Sequence, residues 1–163
     1  MKSKFKIELF EEHSLVNYYT IRFAGEESEI EKFFEKFPEG CDYDEDIDII
    51  IKWIDKIGER GGLERYFRPE GKQKDDVWAI PIETANLRLY LIRVTENIVI
   101  LGNGGVKTTR TYNEDKELNS YVELLQTVNR FIISRIRKGK LQFFQKQLIG
   151  SLNFYLKKGD EEK

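Results

Sequence analysis

Arginine, lysine and tyrosine crowd one stretch of this chain, Leu87 to Tyr112, which reads LRLYLIRVTENIVILGNGGVKTTRTY. Arg88, Tyr90 and Arg93 fall on the first of two short hydrophobic strands, and a glycine turn after the second leads to Lys107, Arg110 and Tyr112. Cations and phenols are thereby gathered at the end of a sheet, where a phosphodiester could lie against them through charge-assisted hydrogen bonds. The chain has one His and one Cys, which excludes most familiar active sites. Whatever chemistry it does falls to Arg, Lys, Tyr or carboxylates.

The remaining candidates are weaker. Cys41 cannot form an internal disulfide, and with His13 it cannot complete a four-ligand zinc site, so no metal and no cofactor are expected. Cys41 reads as a small hydrophobe and His13 as an exposed loop residue with no acid, Ser or Cys as a plausible partner. GNGGVKTT invites a phosphate-loop reading. That motif needs glycine directly before the lysine and another five residues further back, but Val106 and Leu101 stand there.

Charge is unevenly spread over the 163 residues, whose net charge is −2. Residues 1–59 hold 8 Lys or Arg against 16 Asp or Glu, while residues 60–112 and 113–163 are each +3. One part is suited to a polyanion and another is kept away from it, unless the acidic half is simply a solvated helical face. The opening MKSKFKIELFEEHS has no long apolar region, and no run approaches the roughly 20 apolar residues of a membrane helix. A cytosolic protein without membrane contact is expected.

Several elements must position the cationic residues. Phe5, Ile7 and Leu9, then Tyr19, Ile21 and Phe23, alternate as two strands. Ser28 with Glu31 forms a capping box ahead of Ile30, Phe33, Phe34 and Phe37. Asp44 and Asp46 open a second helix that buries Ile47, Ile50, Ile51, Ile54 and Ile57 and stops at Gly61 and Gly62. After the irregular LERYFRPEGKQKDD come strands near 77–83, 87–94 and 97–102, close enough in sequence to form an antiparallel meander. Leu87, Leu89 and Leu91 share one face, for the helical hairpin to cover, and Arg88, Tyr90 and Ile92 share the other, which is expected to stay open. Glu117 to about Lys138 is one long helix, and KLQFFQKQLIGSLNFYLKK a terminal strand or hairpin. The chain reads as a single α+β domain.

These elements and motifs resemble the RelE and HigB toxins of bacterial toxin–antitoxin systems, in particular a phage-derived HigB-like branch. Phe67-Arg68-Pro69, Val77 to Ile82, Leu87-Arg88-Leu89-Tyr90, Ile98 to Leu101 and Lys107-Thr108 with Arg110 are similar, in order, to that branch's motifs. The resemblance covers about residues 18–128, leaving a first strand over 5–11 and a C-terminal extension over about 129–158. It implies a RelE-like fold, with a helical hairpin on a small antiparallel sheet and a long C-terminal helix. It also implies a metal-independent endoribonuclease acting on messenger RNA, commonly in the ribosome, and neutralised by a helix-turn-helix antitoxin. Arg68 and Arg88 would then contact phosphate, Lys107 and Arg110 would carry transition-state charge or proton transfer, and Tyr112 or Tyr90 would stack on a base. Where the branch often carries H-G-F, this chain has Gly102-Asn103-Gly104-Gly105. The second reading is therefore a catalytically silent module on the same fold, binding a protein or nucleic-acid partner.

Overall fold

The computed structural model describes residues 4–69, 77–80, 82, 86–110 and 112–156. Residues 70–76 of the irregular connection, and 81 and 83 of the strand expected over 77–83, lie outside the described residues. The N-terminal strands β1 (Lys4–Glu12) and β2 (Asn17–Phe23) form the expected hairpin, paired from Phe5↔Phe23 to Glu12↔Asn17. Two helices follow, α1 (Glu29–Glu35) and α2 (Asp44–Arg60). Ser28 caps α1 in a full capping box with Glu31, and α2 opens on Asp44, Glu45 and Asp46, where carboxylates meet the positive end of the helix dipole. The short edge strand β3 (Arg68–Pro69) then leads to β4 (Val77–Ala79), β5 (Leu87–Thr95) and β6 (Ile98–Val106). The long helix α3 (Lys116–Arg137) precedes a small hairpin, β7 (Leu141–Phe144) and β8 (Gln147–Gly150), and a last strand, β9 (Asn153–Tyr155).

Seven strands make one sheet in the order β3-β4-β5-β6-β2-β1-β9. It is antiparallel throughout except where β2 runs parallel to β6, from Asn17↔Ile98 to Thr20↔Leu101. The fold is thus mixed α+β with a mostly antiparallel sheet. That parallel join forces α1, α2 and the β3–β5 segment to act together as a crossover, because parallel neighbours cannot be linked by a tight turn.

Both faces of the sheet are covered. On one, α1 and α2 bury Ile30, Phe33, Ile47, Ile50, Ile54 and Ile57 against Tyr18, Leu87, Leu89, Leu91 and Leu101. On the other, α3 buries Leu118, Val122, Leu125, Val128, Phe131 and Ile132 against Phe5, Ile21, Tyr90, Ile92 and Ile100. The leucine face of β5 lies under the helical hairpin as the alternation predicts. The opposite face does not stay open, since α3 needs an apolar surface of its own and takes it.

The glycine run is also not a turn. Gly102 to Gly105 lie inside β6, and a bulge there sets Leu89↔Gly104 but Leu91↔Leu101. A Cβ at Gly102 would sit 3.1 Å from the Leu125 methyls, and one at Gly104 would sit 1.8 Å from the carbonyl oxygen of Arg88. The glycines let a helix and a neighbouring backbone come close, which is a common meaning of glycine within a strand.

Candidate functional site

The six cationic and phenolic candidates do not converge. Tyr90 is fully buried and Arg88 is 6% exposed, both on the α3 face of the sheet. Arg88 Nη1 donates to the carbonyl of Leu87 at 3.0 Å. Neither side chain can reach a phosphate or a base with α3 in place, so their assignment to RNA binding is corrected to a place in the core. Arg68 is exposed on the edge strand β3, separated from β6 by β4 and β5. At about 4.8 Å per strand that is roughly 14 Å across the sheet. Lys107, Arg110 and Tyr112 remain together in sequence on the connection from β6 to α3. Arg110 is exposed, while Lys107 and Tyr112 are half-buried and Tyr112 packs on the α3 core.

Beside that connection lies a polar cluster that the sequence did not disclose. Lys36, at the C-terminal cap of α1, donates to Asn103 Oδ1 at 3.0 Å, the Gly104 carbonyl at 2.8 Å and Tyr121 Oη at 2.6 Å. It also pairs with Glu117 at 3.3 Å, and the Tyr121 hydroxyl donates to that same carboxylate at 2.6 Å. Burial pulls the Lys36 ammonium below its ordinary value and pushes the Tyr121 phenol up, while the bond from Tyr121 holds Glu117 down. Every donor position of Lys36 is met by acceptors from β6 and α3. The cluster therefore clamps α1 to the bulge and to α3, with the Lys36 ammonium and the Tyr121 hydroxyl both committed to that clamp.

A second cluster surrounds the lone histidine. The loop joining β1 to β2 is seated on the last turns of α2 by Leu15 N–H on the Gly58 carbonyl at 2.9 Å and by Ser14 Oγ on Glu59 at 2.8 Å. Tyr18 below it donates to the Ile54 carbonyl at 2.7 Å and meets the His13 ring edge-on at 5.4 Å. The imidazole lies close enough to α2 that only glycine fits beneath. His13 is accordingly not an exposed loop residue: its side chain is 14% exposed, and Nε2 sits 2.9 Å from Glu11 Oε1. Asp55 joins them from α2. Glu11 and His13 are two residues apart at a strand end, so they share a side, and that spacing was a usable signal. The approach of Asp55, across more than forty residues of chain, was not.

This seating predicts an inversion of the usual helix rule. Alanine for glycine within a helix ordinarily gains about 1 kcal/mol. At Gly58 the new Cβ would lie 2.4 Å from His13 Cγ and 2.6 Å from His13 Cβ. Gly58→Ala is expected to lower stability, by about 1–3 kcal/mol as overpacking does. Urea denaturation reads the sign, and a gain would show that the loop is not seated there.

Arginine also ties the first strands to α1. Arg22 donates to both oxygens of Glu8 at 2.9 and 3.1 Å and to Glu31 at 2.7 Å. These bonds hold Glu8 below the usual carboxylate range, as Ser28 does for Glu31. A carboxyl lowered in the folded state stabilises above its unfolded pKa, and that contribution is lost as pH falls through the folded value. Stability should therefore be insensitive to these groups down to about pH 4.3 and decline below it. The decline per group should be small, because Glu8, Glu31 and Glu117 are 28%, 44% and 64% exposed and solvent screens them. Denaturant midpoints measured between pH 6 and pH 3 check the direction, which a rise below pH 4 would contradict.

No protein-family model, curated protein or solved structure matches the chain. Among the described residues, no helix is long and apolar enough to cross a membrane.

Proposed function

We propose that this protein is a binding module that docks a basic partner protein on the outer face of α2. The observation that carries the reading is a stripe on that helix. Asp44, Asp48, Ile51, Asp55 and Glu59 recur at the three- and four-residue steps that line one side of a helix. The side next to it is buried by Ile47, Ile50, Ile54 and Ile57. Ile51, expected on the buried face with the other isoleucines, is instead 42% exposed at the middle of the carboxylates, because it lies past the edge of the face that meets the sheet. Over residues 39–60, eight acids face three bases. An apolar anchor between Asp48 and Asp55, on a segment where acids outnumber bases, suits a partner with a socket beside a positive patch, where complementary charge speeds association and excludes wrong partners. The same charge repels RNA.

The RNA-cleaving reading keeps one supporting observation, the nearness in sequence of Lys107, Arg110 and Tyr112, of which Arg110 is exposed, together with the RelE and HigB resemblance. It loses Arg88 and Tyr90 as ligands, and Arg68 lies far across the sheet. The binding module is therefore the better-supported of the two.

Two measurements test it. Expression of the chain alone is expected to leave growth and messenger RNA intact, where growth arrest with message cleavage would restore the nuclease and overturn the module. In complex with a basic partner from its own host, residues 44–59 should be protected from hydrogen exchange, and Ile51→Glu should weaken the complex at least about tenfold. Protection confined to residues 107–112 would overturn the docking face.

A further inference from the structure

We propose that Glu11, His13 and Asp55 form a binding site for a divalent transition-metal ion, with Zn2+ as the reference ion. One ligand atom from each residue lies within 4.8 Å of the other two, and the Glu11–His13 pair is already at 2.9 Å. Tetrahedral bonds of about 2.0–2.2 Å to a central ion place ligand atoms about 3.4 Å apart. Closing onto an ion thus takes up to about 1.4 Å of movement, supplied by the two exposed carboxylates rather than by the imidazole.

The imidazole is the fixed member. Its Nδ1 edge rests against Gly58, its ring meets Tyr18 edge-on, and its Nε2 is turned toward Glu11. The backbone around it is held by its N–H on the Val16 carbonyl at 2.9 Å and by Lys146 Nζ on its own carbonyl at 2.8 Å. A ligand whose rotamer is locked by packing loses little freedom on binding, which is what a precise metal site requires.

Charge and donor type select the ion. Two carboxylates and a neutral imidazole together cancel a 2+ charge. The nitrogen donor favours zinc, copper or nickel over magnesium and calcium, which prefer all-oxygen shells. Three protein ligands leave a fourth position for water or for a group from a bound partner. Because Asp55 also belongs to the stripe on α2, a bound ion would remove negative charge from one end of that face and pin the β1–β2 loop to the helix. The site itself does not depend on the stripe being a docking face.

The untagged full chain, stripped with a chelator, should be titrated with Zn2+ while the imidazole resonances are followed by NMR. The chain has a single histidine, so those signals need no assignment. The expected result is saturation at one ion per chain, with the shift concentrated at Nε2. Asp55→Asn and Glu11→Gln should each weaken binding at least about tenfold, while Asp48→Asn, elsewhere on α2, should leave it unchanged. His13→Asn should abolish saturation. Should that variant fail to fold, the two carboxylate variants still decide. Saturation without movement of the His13 signals would overturn the proposal, as would wild-type affinity in Asp55→Asn or an equal response to Mg2+. Absence of saturation at millimolar Zn2+ would do the same.

Discussion

Gly104→Ala should leave this protein close to or beyond its unfolding threshold, with a loss of about 3–5 kcal/mol. The Cβ would be built 1.8 Å from the Arg88 carbonyl oxygen, 2.8 Å from its carbon and 2.9 Å from Leu89 Cα. All three are backbone atoms of β5, paired with β6 through Leu87↔Val106, Arg88↔Gly105 and Leu89↔Gly104. A side chain in that position could swing away, but a paired strand can yield only by giving up ladder bonds next to the bulge. The same region carries the Lys36 bond to the Gly104 carbonyl at 2.8 Å, so a shift there also loosens α1. Gly105 is the internal control. A Cβ on Gly105 meets only a Leu118 methyl at 3.4 Å, and Gly105→Ala should cost less than about 1 kcal/mol. Urea denaturation of both variants settles the matter, and equal midpoints would show that the close approach of β5 and β6 is wrong.

The glycine run shows where reading the sequence succeeds and where it fails. Local physics was legible: the Ser28–Glu31 capping box, the acidic opening of α2 at Asp44, the stop at Gly61 and the alternation of Leu87, Leu89 and Leu91 are each fixed by neighbours within a few residues. What a glycine is for depends on what lies beside it in space. In Gly102-Asn103-Gly104-Gly105 the neighbours are Leu125, Arg88 and Leu118, none of them local. The run therefore looks like a turn in sequence and is the most crowded part of a strand in space.

The buried position of Arg88 and Tyr90 follows from α3. The apolar stripe of that helix is readable from Leu118, Leu125, Val128 and Ile132, and a helix of 22 residues spans about 33 Å. Such a stripe must be buried somewhere. With the helical hairpin already on the leucine face, the sheet surface left to it is the one holding Arg88 and Tyr90. Placing α3 there closes the open cationic face on packing grounds alone. The parallel pairing of β2 with β6 is harder to see, because the alternation of Tyr19, Ile21 and Phe23 marks a strand without naming its neighbour, and the structure buries Asn17–Phe23 on both faces. The Lys36 clamp and the approach of Asp55 to His13 join segments distant in sequence, and single charges on a surface helix look alike whether or not they have a partner.

Phe154→Ala should cost about 3–5 kcal/mol of global stability, as loss of a fully buried aromatic does, even though Phe154 lies in a segment that reads as an appendage. Its ring stacks on Phe5 at 5.0 Å with 8° between planes, and on Phe131 at 6.3 Å. The Arg135 guanidinium lies 3.8 Å above its ring centre and also donates to the Ser151 carbonyl at 2.8 Å. These contacts join β9, β1 and α3 into one packed unit, and β9 is the strand that covers the edge of β1 through Phe5↔Phe154. Removing the ring opens a cavity between three elements and takes away the packing that holds β9 on the edge of β1. Tyr155, next in sequence and 44% exposed, is the matched control, and Tyr155→Ala should fall within about 0.5 kcal/mol of wild type, as surface changes do. If the C-terminal segment were an extension packed on a self-sufficient domain, Phe154→Ala would free the tail to proteolysis and leave the main unfolding transition where it was. A shift of the whole transition, with circular dichroism and Trp53 and Trp78 fluorescence moving together, is the outcome that makes β9 part of the fold.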